Sequence, residues 1–414
     1  MTENEREIVL ESLIEILEKN QFSHIVEKNV LDKYDYLDQA KKSFIKRVTE
    51  GTVENLINID EVINKFSKIQ VNKMKPLIRN LIRMSVYQLL YMDKIPDSAV
   101  CNEAVKLAGK RGFRSLSGFV NGVLRNIARN KDTIDTKGDN LPVWIKDHLV
   151  ECYGEGKARL VIDDINKIHP VTLRARGTIS DKDKARLSKT GIIENSYYVK
   201  EGVSLSDLEG FIDGRLIVQD VASMIPVMEA HIKKGDRVLD VCASPGGKSI
   251  QAYDCGANVI ARDVSENKVS IIKENIYKYT KNDNDVSNII EAQVYDARNY
   301  DASLNEKMDV VIADLPCSGL GVLGRKSDIR HKTKKEDLES IVSLQREIID
   351  TVWKYVKTGG VLMYSTCTMN PKENEEQVKY ILSNFPFSLE YEKQFLPGID
   401  NTDGFYVARL RRND

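Results

Sequence analysis

Asp240 to Ser249 read DVCASPGGKS, a run whose Gly-Gly-Lys-Ser tail looks like the end of a phosphate-binding loop. Such a loop needs a glycine, four residues and then Gly-Lys-Ser, so that backbone amides can wrap a phosphate chain. Counting back from Gly247 puts Cys242 where the first glycine should stand, and Pro245 removes an amide. A dinucleotide fingerprint of the G-x-G-x-x-G kind is absent as well. What remains is a strand, a glycine turn and a helix, which brings backbone close to a ligand at the carboxyl end of a sheet. The next apolar run, NVIARDV (258–264), carries Asp263 at its end, where a carboxylate can accept hydrogen bonds from both ribose hydroxyls. IIEAQVYD (289–296) ends on Asp296, placed to meet an adenine edge. A ligand with a ribose and a base but no phosphate is expected, and S-adenosyl-L-methionine fits. Its loop would be Cys242, Ala243, Ser244, Pro245, Gly246, Gly247 and Lys248.

Two further runs, MDVVIADLP (308–316) and GGVLMYSTC (359–367), lead into DLPCSG (314–319) and STCT (365–368). As parallel strands of one sheet they would open Cys317 and Cys367 on one crevice, beside the methyl donor. Neither thiol has metal-ligand spacing, so no metal is expected and nucleophilic chemistry is. Carbon 5 of a cytosine is a poor nucleophile. A thiolate added to carbon 6 turns the ring into an enamine, and carbon 5 can then take a methyl group. A free thiol is only about 3% ionised at pH 7, a cost of about 2 kcal/mol that a sulfonium and Lys248 can lower. Afterwards the carbon-5 proton must leave and the thiol be expelled, which a second cysteine could assist. Spacing does not fix which thiol attacks; both orders are chemically possible.

The elements that must position these groups alternate regularly after residue 216. RVLDVC (237–242) and the four runs above are short and β-branched, and helical stretches separate them. In 336–357, for instance, Leu338, Val342, Ile349 and Val352 share a face. Strand and helix in alternation predict a parallel, doubly wound α/β sheet. Residues 1 to about 130 read as helices: Val9, Leu10, Leu13, Ile14 and Leu17 recur at helical spacing, as do Leu77, Leu81, Met84, Tyr87, Leu90 and Tyr91. The polar stretch 130–140 reads as a linker. Between 141 and 215 the pattern is mixed: a short helix ending at Gly154, then strands at HPVTLRARG and IIENSYYVKEG with a helical segment between them.

Composition excludes little. The 414 residues exceed one ordinary core, and 61 Lys and Arg against 62 Asp and Glu leave a net charge of −1, so attraction to a polyanion must rest on local clusters. No apolar run approaches the roughly 20 residues that span a bilayer, and MTENEREIVL does not read as a secretory signal. A cytoplasmic protein with no membrane partner is expected. Cys101, Cys152 and Cys255 read as packing residues, and His331 draws no catalytic role.

DVCASPGGKS, DLPCSG and STCT, in that order, resemble the signature of RNA cytosine-C5 methyltransferases of the Nop2/NSUN (Fmu/Sun) family. RMSVYQLLYMDKIPDSAVCNEAVKLA and FVNGVLRNIAR resemble the NusB-type helical domain fused to the bacterial 16S ribosomal RNA members; QDVASM (219–224) and DGFYVARL (403–410) match too. The resemblance implies a Rossmann-like S-adenosylmethionine-dependent catalytic domain over 216–414, a NusB-like helical RNA-binding domain over 1–135, and a small α+β RNA-recognition module over 141–215. It makes Cys367 the nucleophile and Cys317 the residue that assists product release, and it assigns Asp314 to the cofactor and to the cytosine's ring nitrogen. The loop 242–248, Asp263 and Asp296 correspond to the cofactor pocket. The implied substrate is a cytosine of the 16S position-967 type. Ser244 and Leu315 stand where alanine is usual, and RARG (174–177) replaces the commoner RVN.

Two basic stretches bear on the partner. Lys106 to Lys131 hold seven basic residues and no acidic one, a stripe that can track an RNA backbone. RKSDIRHKTKK (325–335) follows the PCSG loop and is expected to grip RNA phosphates, with Arg325 the best single candidate. The expected partner is 16S ribosomal RNA, with no DNA, and the chain is expected to act as a monomer. Competing readings are the same chemistry on transfer RNA or another ribosomal site, and an RNA-binding regulator of the antitermination type whose sheet domain has lost catalysis. An adenine N6 methyltransferase is disfavoured, since its loop after the fourth strand reads N-P-P-aromatic rather than DLPCSG.

Overall fold

The computed structural model describes residues 4–136, 138, 140–167, 169–283 and 288–414; Lys137 and Asp139 of the expected linker lie outside the described residues. The chain divides into two compact units, Met1–Asp147 with Lys326–Lys332, and His148–Arg325 with Thr333–Asp414.

The first unit is built from α1 (Glu5–Leu17), α2 (Ser23–Lys33), α3 (Gln39–Glu54), α4 (Leu56–Phe66), α5 (Pro76–Tyr91), α6 (Asp97–Lys110) and α7 (Ser117–Arg129). Side chains start them where the sequence offers a cap: Asn4 accepts from the Arg6 amide, Asp38 from that of Lys41, and Pro76 opens α5. α5 is the buried centre. Ile78, Leu81, Ile82, Met84, Val86 and Leu89 are each at most 5% exposed, and burying a side chain of this size stabilises by about 1.5–3 kcal/mol. Its buried polar groups need partners, and find them. Asn80 donates to Glu18 Oε1 (2.6 Å), Arg83 forks onto both oxygens of Asp60 (2.8 and 2.6 Å), and Gln88 donates to the Met84 carbonyl (2.9 Å).

Lys326–Lys332 completes this unit from far along the sequence. Asp328 accepts from the Ser23 amide (2.9 Å) and from Lys332 (3.1 Å), whose ammonium also reaches the Gln21 carbonyl. Arg330 is 1% exposed, and His331 donates to the Val53 carbonyl (2.9 Å). The run expected to grip RNA phosphates is therefore a structural plug: its central charges are spent on the helical unit's own backbone and carboxylates. Burial pushes the His331 imidazole down to about 4. A folded value below the unfolded one near 6.5 means stability is full above pH 6.5 and is lost as the pH falls toward 4. Urea unfolding of the full chain should show a loss of about 2 kcal/mol from this group between pH 7 and 5. His331→Gln should be less stable at pH 7 and should flatten that part of the profile; an unchanged slope would contradict the assignment.

The helix Val143–Ile165, which enters the second unit at His148, breaks at Gly154 (φ 75°) where the sequence predicts an end, and then resumes to Ile165. β1 (Thr172–Ala175), β2 (Leu187–Lys189), β3 (Ser196–Val199) and β4 (Leu216–Val218) form an antiparallel sheet in the order β2-β3-β1-β4. Arg174 and Arg176 lean away from any substrate role. Arg174 pairs with Asp254 (2.6 Å), and Arg176 with Asp254 (2.6 Å) and Asp283 (2.9 Å). RARG thus pins this small sheet to the larger one.

The larger sheet holds β5 (Arg237–Asp240), β6 (Asn258–Asp263), β7 (Ile290–Val294), β8 (Met308–Asp314), β9 (Val356–Thr366), β10 (Phe387–Phe395) and β11 (Phe405–Arg412), in the order β10-β11-β9-β8-β5-β6-β7. β7, β6, β5, β8 and β9 run parallel, as the alternation predicts. β11 is inserted antiparallel between β9 and β10. That hairpin is absent from the sequence reading because no helix separates its strands and β10 carries Glu390, Glu392 and Lys393, charges suited to a sheet edge. The helix Leu338–Val352 covers one face, packing Ile348, Ile349 and Val352 on Val311, Ala313 and Leu362.

Candidate active site

Parallel strands deliver their carboxyl ends to one edge, and the register decides which residues meet there. Asp314 of β8 pairs with Ser365 of β9, and the Leu315 amide continues the ladder to the Ser365 carbonyl (3.0 Å). Two residues beyond Leu315 and Ser365 stand Cys317 and Cys367, with Sγ to Sγ 3.2 Å. The hydrogen bond to Cys367, together with burial, holds the Cys317 thiol well above the ordinary range.

The two cysteine loops are fastened by a carboxylate that the sequence reading did not single out. Glu373 is fully buried. It accepts from the Ser318 amide (2.8 Å), the Ser318 hydroxyl (2.6 Å) and the Asn370 amide group (2.9 Å). The Ser318 hydroxyl also meets that of Thr368 (2.7 Å). Residues adjoining both cysteines are thereby tied to one anchor. A second tie is backbone on backbone: Gly321 N–H donates to the Cys367 carbonyl (3.0 Å), and Gly404 N–H to the Gly321 carbonyl (2.8 Å). A Cβ on Gly321 would overlap the Gly404 carbonyl, so the contact requires glycine.

Lys248 reaches the same place from the glycine loop. Its ammonium bridges Asp314 Oδ2 (2.7 Å) and the Ser223 hydroxyl (2.9 Å), and lies 5.3 Å from the centre of the Phe405 ring. Asp314 Oδ1 accepts from the Ser365 hydroxyl (2.8 Å), so one carboxylate joins β8, β9 and the loop. The loop itself turns at Gly246 (φ 105°), which caps the helix Gly247–Asp254. Asp263 fixes the turn: its Oδ2 accepts from the Ser244 amide (3.1 Å), its Oδ1 from the Val264 amide (2.8 Å), and Lys268 pairs with it (3.1 Å). Cys242 sits among the carboxylates of Asp240, Asp263 and Asp314, and burial with these charges pushes its thiol up. It is a packing thiol of the loop rather than a reactive one. Asp296 follows Tyr295, whose amide donates to the Asp263 carbonyl (2.9 Å), and its carboxylate is forked by Arg298 (2.7–3.2 Å).

Asp240, which the sequence reading quoted without assigning, is 1% exposed and pushed up to about 7 by burial. Oδ2 accepts from the Ser249 hydroxyl (2.6 Å), while Oδ1 has no partner. An orphaned acceptor beneath a glycine turn suits the ammonium of an amino-acid ligand. The set of residues therefore fits S-adenosylmethionine. Among the described residues no group of His, Cys, Asp and Glu is arranged to hold a metal ion.

Comparison with known proteins places this arrangement. Residues 227–411 match the family of the 16S rRNA methyltransferase RsmB/F, and residues 3–129 match the NusB family. The probable ribosomal RNA small subunit methyltransferase B of Bacillus subtilis (strain 168) is 32% identical over 98% of both chains. The chain belongs to the RsmB/F family. Ribosomal RNA small subunit methyltransferase B of Vibrio vulnificus is 30% identical over 89% of this chain and 90% of its own. The RsmB/F fold extends to solved structures. The crystal structure of PH0851 superposes with a TM-score of 0.82 at 20% identity over the whole of both chains. NSun6 from Pyrococcus horikoshii, solved with SFG, gives 0.58 at 19% identity over 67% of this chain and 99% of its own. As in the sequence reading, this RsmB/F-family chain joins a NusB-type helical region to a Rossmann-like methyltransferase fold.

Proposed function

We propose that this RsmB/F-family protein methylates carbon 5 of a cytosine in 16S ribosomal RNA, of the position-967 type, through a covalent adduct between Cys367 and carbon 6 of the base. The observation that carries the reading is the 3.2 Å separation of Cys317 and Cys367 beside the Lys248–Asp314 pair. Bound S-adenosylmethionine supplies an electrophilic methyl group. Cys367 attacks carbon 6, its Sγ–C6 bond forming as the C5=C6 double bond opens and electron density moves to carbon 5 and the ring's N3–O2 side. Asp314 meets that ring nitrogen in this reading, and the Lys248 ammonium paired with it offsets the developing negative charge. Once carbon 5 carries its methyl group, with S-adenosylhomocysteine as the other product, the carbon-5 proton is lost to solvent, C5=C6 re-forms and the Cys367 thiolate leaves, with Cys317 donating to the departing sulfur. The loop Cys242–Lys248 and Asp240, Asp263 and Asp296 hold the cofactor. A base stacked in a helix cannot be reached by a thiol, so the substrate cytosine is single-stranded or extruded. The protein acts as a cytoplasmic monomer in this reading.

Purified protein with 16S ribosomal RNA and methyl-labelled S-adenosylmethionine should place the label on carbon 5 of one cytosine. Label on transfer RNA alone would redirect the reading, and binding without transfer would support a regulator instead.

A further inference from the structure

A cavity of about 310 Å³ in the second unit has neither Cys317 nor Cys367 in its wall. Its wall holds Thr172, Tyr198, Asp220, Arg325 and Asp403. Two backbone hydrogen bonds connect it to the nucleophile's loop. Asp403 precedes Gly404, which bonds Gly321, which bonds the Cys367 carbonyl. On its other flank Asp220 caps the helix Val221–Glu229, accepting from the Ala222 amide (2.9 Å), and that helix carries the Ser223 that holds Lys248.

The charges select what can enter. Arg325 donates to Asp403 (2.8 and 2.9 Å) and to Asp220 (3.0 Å), so two carboxylates share one guanidinium. Burial and the neighbouring Asp220 raise the Asp403 carboxyl. Asp164, close to Lys167 (3.5 Å) and His169 (3.3 Å), adds a third carboxylate to the wall. Arg325, expected from the sequence to grip a phosphate, is thus neutralised within a carboxylate-rich pocket. A phosphate is repelled there, whereas the N–H edge of a nucleobase finds acceptors. Tyr198 offers an aromatic face, and Thr172, 2% exposed, has a hydroxyl with no partner.

Resting on the reading of the reaction above, we infer that this cavity is a second nucleobase subsite, which takes the RNA base next to the cytosine presented to Cys317 and Cys367. A single-stranded substrate must splay its bases to expose one, and a neighbour stacked on an aromatic ring holds the strand in register.

The test uses the full chain and fluorescent single-stranded RNA 9-mers with one central cytosine, read by anisotropy, with an abasic nucleotide replacing either neighbour of the cytosine. Wild type should bind the intact strand about tenfold more tightly than the strand lacking one particular neighbour, the size of one base–aromatic stack. Tyr198→Ala should lose that preference, and Tyr198→Phe should keep it. Indifference of the wild type to both abasic strands, or an unchanged preference in Tyr198→Ala, would overturn the subsite. Methyl transfer to the same strands is scored separately. A binding preference without transfer keeps the subsite and sinks the proposed reaction; transfer without a preference does the reverse.

Discussion

Cys317→Ala should accumulate a covalent protein–RNA adduct that survives a denaturing gel, whereas Cys367→Ala should form none and lose at least about 10⁴-fold in methyl transfer. The asymmetry follows from the proton between the two sulfurs. They are 3.2 Å apart, and the Cys317 thiol is held up by its hydrogen bond to Cys367. In the proposed reaction, removing Cys317 leaves a nucleophile that can add to carbon 6 but has lost the group that assists its departure. Removing Cys367 leaves the half-buried Cys317 thiol, which does not attack carbon 6 in the proposed reaction. An adduct in Cys367→Ala and none in Cys317→Ala would exchange the assignments.

The second large effect belongs to Glu373. Alanine there strands the buried Ser318 amide and the buried Asn370 side chain, at about 1–3 kcal/mol for each buried donor left unpaired. We expect Glu373→Ala to lower unfolding free energy by about 3 kcal/mol. Methyl transfer should fall about 100-fold, since a shift of about 1 Å at a reacting group costs that much. Glu373→Gln keeps one oxygen acceptor and should fall between wild type and alanine in both measurements. Affinity for S-adenosylmethionine, read by calorimetry, should stay within about twofold, because Glu373 touches none of the cofactor loop. Equal losses in cofactor binding and in transfer would show that Glu373 supports the whole sheet rather than the cysteine loops.

Much of this site was legible in the residues themselves. Strand ends recur with the right period, so the meeting of the PCSG and STCT loops follows from parallel β8 and β9 alone. Asp314, Lys248 and the glycine loop converge for the same reason. Asp263 and Asp296 differ. Both stand at strand ends, but Asp263 is tied to the loop backbone and Asp296 to Arg298, pairings that only local geometry sets. Glu373 was hidden because nothing in NPKENEE distinguishes a buried glutamate from the solvated ones beside it; Glu376, three residues on, is exposed. The run 325–335 misled for the opposite reason. Its composition is that of a surface, while Asp328 and Arg330 are buried. Charge density does not reveal whether a cation meets a polyanion or a carbonyl of its own chain. The stripe from Lys106 to Lys131 divides likewise: Lys110 and Arg111 pair with Glu7 and Glu11, Lys131 pairs with Asp97, and Arg114 and Arg129 are exposed.

Because Asp328, Arg330 and His331 complete the helical unit, its synthesis finishes long after its last helix has left the ribosome. At usual elongation rates a further roughly 10–40 s pass before Lys332 is added. During that interval the bundle has an open slot at Ser23 and Val53, while the methyltransferase strands up to β8 are being made. A messenger cut into two genes anywhere between these helices and Lys326 would leave one product with this gap and the other with an arginine that has lost its burial site.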